Sequence, residues 1–167
     1  MNKRLRLFFL FFLLLFLQVF MLNNILLFGS INPYLYIVFV ILYPVKENKF
    51  YLLFFSFLLG LFVDFFSDTV GVHAFSITFI AYIRLFFIKV YFRKLELDYP
   101  FFKLQSESFG KKFNFVVTLT LIHHFLLFLL ANFSFFNFST VLSNTFFSSI
   151  FTLVLYFIGT AIFNENE

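Results

Sequence analysis

The chain has 167 residues, of which 62% are hydrophobic and 12% charged, with a net charge of +4 and a mean hydropathy of +1.00; an ordinary soluble domain carries about 25% charged residues. So few polar groups cannot cover a water-facing exterior, which excludes a soluble globular domain, a disordered chain and a fibrous repeat and leaves lipid as the main solvent. The absence of cysteine excludes disulfides, thiolate catalysis and thiolate-bound metals, and 36 Phe without a single Trp read as a compositional bias at lipid-facing positions.

One helical crossing takes about 20 apolar residues. Six candidates follow one another along a single membrane domain that occupies residues 1–167. The first, over 7–28, follows Lys3, Arg4 and Arg6; no small-residue cleavage site comes after it, so it reads as a retained helix and not as a signal peptide. The second, over 32–46, opens with Asn32 as a cap and Pro33 in the first turn, and Pro44 lies near its end. It is short for a full crossing. The remaining four, over 50–66, 72–92, 113–131 and 139–163, have ordinary lengths.

Lys and Arg decide whether the short second segment crosses, because cytoplasmic loops collect them. With six crossings and both termini in the cytoplasm, the inner segments hold Lys3, Arg4, Arg6, Lys46, Lys49, Lys89, Arg93, Lys94, Lys103, Lys111 and Lys112. The outer loops, around Gly29, Asp68 and 132–137, hold none. Without the second crossing, the connection over 93–112 and its cations would lie outside. The expectation is therefore an all-α, six-helix protein of the bacterial inner membrane with N- and C-termini inside.

Polar residues within apolar spans carry most of the information, since lipid forces them to face other helices. In the first span these are Gln18, Asn23 and Asn24, which read as packing contacts formed by hydrogen bonds between helices. The third and fourth spans meet at GLFVDFFSDTVGVHAF, with Gly60, Asp64, Asp68, Gly71 and His73. Gly60 and Asp64 share a helix face, Gly60 allows a close backbone approach, and an Asp64 to His73 hydrogen bond is expected to fix the turn. A proton or cation site is the functional alternative for the same residues, but no further acid lies deeper to relay a proton. Arg84, the cation set deepest within a span, is expected to snorkel to headgroups, with contacts to Gln18, the histidine pair or a partner helix as alternatives. His123 and His124 point about 100° apart on the fifth span, so one is expected to face the bundle and the other a neighbour, without a shared metal. Thr145, Ser149, Thr152, Tyr156 and Gly159 form a small and polar packing stripe on the sixth.

No activated nucleophile, phosphate loop, pair of acids at catalytic depth or acid-rich magnesium loop is visible in the sequence. This points away from an enzyme and implies no catalytic residue, metal or cofactor. The positive charge reads as a match to anionic headgroups, with no nucleic-acid pattern.

Taken together, LNNI at Leu22–Ile25, GSINPYLYI at Gly29–Ile37, GLFVD at Gly60–Asp64, DTVGVHAF at Asp68–Phe75 and LIHHFLLF at Leu121–Phe128 resemble the MreD family of rod shape-determining membrane proteins, in its Bacteroidetes-like form. The likeness runs from about Gln18 to the last helix and rests on the order and spacing of the motifs. It implies a fold similar to the substrate-binding subunits of energy-coupling-factor transporters. It also implies a non-catalytic role in the peptidoglycan elongation machinery, beside MreC, MreB, RodA and penicillin-binding protein 2. Gly60, Asp64, Gly71 and His73 match the family's turn, and Asn32 with Pro33 matches the start of its second helix. The alternative reading is a substrate-binding membrane subunit that takes a vitamin-like solute near Asp64, Asp68, His73, Asn23, Asn24 and Asn32.

Overall fold

The computed structural model describes residues 3–25, 31–93, 104–132 and 138–164. These residues are helical, with no strand among them. Helix α1 (Lys3–Phe16) continues into a π-helical turn (Leu17–Met21) and a 3-10 turn (Leu22–Asn24). After a 3-10 turn at Leu35–Ile37 comes the very short α2 (Val38–Leu42). Then follow α3 (Lys49–Ser67), α4 (Val72–Phe92), a 3-10 turn at Leu104–Ser106, α5 (Phe109–Asn132) and α6 (Phe138–Asn164). Five stretches are long and apolar enough to cross a membrane: Leu5–Asn24, Lys49–Ser67, Val72–Phe92, Phe109–Asn132 and Phe138–Ile162. They coincide with five of the expected spans to within a few residues. The expected loops around Gly29 and 133–137, and Lys94 and Lys103 in the long connection, lie outside the described residues.

The surface is what lipid demands. On α6, Leu142, Phe146, Ile150, Val154 and Ile158 are exposed, whereas Thr145, Ser148, Ser149 and Thr152 are buried. A water-soluble helix puts its polar face outward. Here the order is reversed, because hydrocarbon accepts apolar side chains freely and hydroxyls only at a cost.

Cross-helix contacts fix the direction of each element. Phe11 on α1 packs against Phe55 and Phe62 on α3, and Asn23 donates to Ser67 Oγ at 2.8 Å where both elements end. Thus α1 and α3 run parallel, and the chain between them must return across the bundle. Ring contacts between Phe92 and Phe115, and between Phe113 and Phe157, make α4, α5 and α6 successively antiparallel.

The returning segment is the centre of the molecule. Tyr36, Ile37, Phe39, Val40 and Ile41 are each at most 1% exposed. Within residues 31–48 only Leu35–Leu42 is helical, about 12 Å at 1.5 Å per residue, and the chain on either side of it is not. The sequence pattern starts this helix at Asn32 and Pro33. In the structure it starts at Leu35, with Tyr34 as the preceding residue and no side-chain cap. Non-helical backbone at such depth is tolerated only where protein surrounds it and satisfies its polar groups.

The α3–α4 hairpin is the closest helix packing. A Cβ placed on Gly60 would lie 2.5 Å from Ala74 Cα and 2.8 Å from the His73 carbonyl carbon, so glycine is required for this approach. The turn itself uses left-handed backbone at Asp68 (φ 55°) and at Gly71 (φ 75°). Glycine enters that region without a steric penalty, and Asp tolerates it better than most residues.

Candidate functional site

The buried polar side chains form four nodes, three of which grip the central segment. The first node, Asp64, belongs to the hairpin. It is 2% exposed, and its Oδ1 accepts from Thr69 Oγ1 at 2.6 Å and from the His73 backbone N–H at 3.0 Å. Its Oδ2 accepts from the Ala74 N–H at 2.8 Å. The first N–H groups of a helix have no partner within that helix, and a carboxylate there also meets the positive end of the helix dipole. Asp64 thus does contact His73, but through the backbone and not the imidazole. The ring is occupied elsewhere.

Gln18 is the second node, set into the π-helical turn of the first span. Its Oε1 accepts from the Leu35 N–H at 2.9 Å, and its Nε2 donates to the Pro33 carbonyl at 3.1 Å and to Asn23 Oδ1 at 2.8 Å. A primary amide suits this place because it donates and accepts at once. Asn23 passes the network on to Ser67. Two expectations change here. Asn24 donates only to Phe20 O in its own turn and is exposed, so it is not an interhelical contact. Asn32 turns back: with its amide nitrogen assigned to the side that faces only acceptors, it donates to Leu22 O at 3.1 Å and to Ile25 O, which ties the chain to the end of the first span instead of capping α2.

The third node joins Tyr34 and Tyr36 to three histidines. The Tyr36 hydroxyl hydrogen-bonds His73 Nδ1 at 2.9 Å, and its ring lies edge-on to His123 at 5.2 Å. His124 Nδ1–H donates to Thr120 O at 2.8 Å. In the neutral ring Nε2 is then an acceptor, and the Thr152 hydroxyl donates to it at 3.0 Å. That hydroxyl accepts from the Tyr34 N–H at 3.0 Å, so a chain of bonds links the central segment to α6 and α5. His123 and His124 both face inward at 0% exposure, because α5 is wrapped by α4, α6 and the central segment. The expected division between bundle and neighbour does not occur. Among the described residues neither ring nitrogen of His123 has a partner, and the buried hydroxyls of Ser56, Thr145, Ser148 and Ser149 likewise have none.

Arg84 is the fourth node. It does not snorkel: it is 2% exposed, and Nη2 donates to the carbonyls of Ile41, at 3.3 Å, and Tyr43. These carbonyls lie at the end of a five-residue helix and have no partner within it. A guanidinium supplies several donors in a fixed plane, which fits such a cluster of carbonyls.

No family model matches the chain, and no curated protein or solved structure matches it.

The structure thus gathers Gln18, Asn23, Asn32 and Arg84 around the central segment, and Asp64, Gly60, Gly71 and His73 around the hairpin turn. Asp68 is exposed and serves through its backbone angle. Sequence reading missed Tyr34, Tyr36, Thr152 and Ser67 as members of the network. Three of them carried a signal: Thr152 sits on the polar stripe of α6, and Tyr34 and Tyr36 stand in an apolar run after Pro33. Among the described residues, no three His, Asp or Glu side chains are placed to share a metal ion.

Proposed function

We propose that the chain is a non-catalytic membrane scaffold of the bacterial cell-wall elongation machinery, an MreD-like protein of the inner membrane. One observation carries this reading: four of the buried polar side chains are spent on the bundle's own backbone. Gln18, Asp64, Arg84 and Thr152 each hydrogen-bond main-chain groups of another element. Such a use of polar side chains stabilises one fixed shape, which is what a docking platform needs and what a site of chemistry does not require. The resemblance from Gln18 to the last helix supports the same reading.

On this proposal the central segment counts as a second crossing. Six crossings then place both termini in the cytoplasm and most of the Lys and Arg residues beside them. The Phe-rich lateral surface receives the transmembrane helix of MreC, by close packing of apolar and small side chains. The cytoplasmic connection over 93–112 meets MreB, RodA and penicillin-binding protein 2, or the anionic lipid beneath them. Depletion from a rod-shaped host with no second copy is expected to give rounded cells. Unaltered rods would overturn the proposal.

A further inference from the structure

We propose that the recess between the α2–α3 turn and α4 binds the phosphate of an anionic lipid headgroup through Arg84 and Lys49. Burying a guanidinium is unfavourable unless charge or strong dipoles compensate it. The described partners of Arg84 are two neutral carbonyls, and its Nε–H has none. Arg84 lines a small cavity of about 20 Å³ together with Lys49, Glu47, Tyr43 and Pro44. A space of this size admits one oxygen atom and its hydrogen-bond distance, not a whole phosphate. The phosphate therefore sits at the mouth and reaches inward with a single oxygen.

The mouth is built for an anion. Lys49 is the first residue of α3, with Asn48 as its cap. A cation in the first turn of a helix opposes the helix dipole, so Lys49 gains nothing from its own helix and is available to a ligand. Its Nζ is held 4.7 Å from the centroid of the Tyr82 ring on α4, which keeps it beside the recess. Lys46 is exposed on the same turn. The only opposing charge in the lining is Glu47, half-buried.

The surroundings select a lipid over a free anion. Phe50, Tyr82 and Phe86, next to the mouth in sequence or in contact with Lys49, are 66%, 62% and 63% exposed. Acyl chains can lie along these rings while the headgroup faces the cations, the arrangement of basic pockets between transmembrane helices. The inference needs only that the bundle lies in a membrane, not that it serves cell shape.

The test uses the full chain in nanodiscs of phosphatidylcholine with and without phosphatidylglycerol, with bound lipid counted by native mass spectrometry after transfer to detergent. The wild type is expected to retain phosphatidylglycerol over phosphatidylcholine. Lys49→Gln should lower that preference about fivefold, the worth of one cation near a headgroup, without loss of thermal stability, since it relieves the dipole conflict. Glu47→Gln should raise the preference by a similar factor. Equal retention of the two lipids by the wild type, or a preference indifferent to both substitutions, would overturn the site and leave water as the occupant of the cavity. Displacement of the lipid by millimolar inorganic phosphate would overturn its assignment to a lipid.

Discussion

The α3–α4 hairpin and the central segment solve the same problem by opposite means. Each must satisfy backbone groups that no regular helix covers. The hairpin does so locally: Asp64 caps residues nine and ten positions further on, and the left-handed Asp68 and Gly71 turn the chain between them. The central segment does so at long range. Its backbone is held by Gln18, 15 and 17 residues away, by Arg84, 41 and 43 residues away, and by Thr152, 118 residues away. A short irregular element in lipid thus depends on the whole bundle, whereas a hairpin carries most of its own instructions.

This contrast makes a graded series of expectations. The largest effect is expected from Arg84→Leu, which leaves the carbonyls of Ile41 and Tyr43 without their charged donor at a cost of about 4 kcal/mol. Because the segment touches every layer, the loss should spread. The natural chain lacks cysteine, so a single cysteine at Val40, itself fully buried, should resist maleimide in the parent protein and react in the Arg84→Leu background. Continued protection would break the claim that Arg84 holds the segment.

Asp64→Leu comes next, at about 3 kcal/mol, since three donors lose a carboxylate. The turn at Asp68 is exposed, and water can replace part of the loss there. Asp64→Asn should cost about 1 kcal/mol, because one amide oxygen remains to accept while its NH2 faces an N–H. Thermal midpoints in detergent distinguish the two; equal midpoints would refute the capping role. A cysteine at Val40 should stay protected in both, which separates hairpin damage from loss of the central segment.

Thr152→Val is expected to cost about 1 to 2 kcal/mol, because it removes both the acceptor of the Tyr34 N–H and the donor to His124. Its effect should shrink but not vanish when His124 is already replaced, because the Tyr34 N–H still loses its acceptor; a double-mutant cycle measures the part the two residues share. The smallest effect, under about 0.5 kcal/mol, is expected from Asn24→Ala, whose amide bonds only its own turn and is exposed. A large loss there would mean that Asn24 has a partner outside the bundle.

The two regions were unequally legible. Gly60 and Asp64 lie four residues apart, and Gly71 and His73 follow across the turn at Asp68, so a close hairpin could be read from spacing. What spacing did not give is the atom that Asp64 contacts, since the imidazole of His73 goes to Tyr36, 37 residues away. His123 and His124 illustrate the same limit. Helical geometry sends them in different directions, but whether both directions lead inward depends on how many neighbours surround α5. Arg84 was read by the general habit of lone cations in lipid, and the habit failed because the end of α2 offered carbonyls within its reach.

By itself the sequence determined that the chain is helical and apolar on its outside, where its five long helices run, and how α3 turns into α4. Those properties follow from composition and from residues within a few turns of one another. Only the tertiary structure decided that Leu35–Leu42 forms a short helix buried at the centre of the bundle, and that Gln18, Arg84 and Thr152 hold the chain around it. The reason is physical: unpaired backbone groups in lipid accept whichever donor or acceptor the fold brings near, and no local pattern along the chain records which residue that will be.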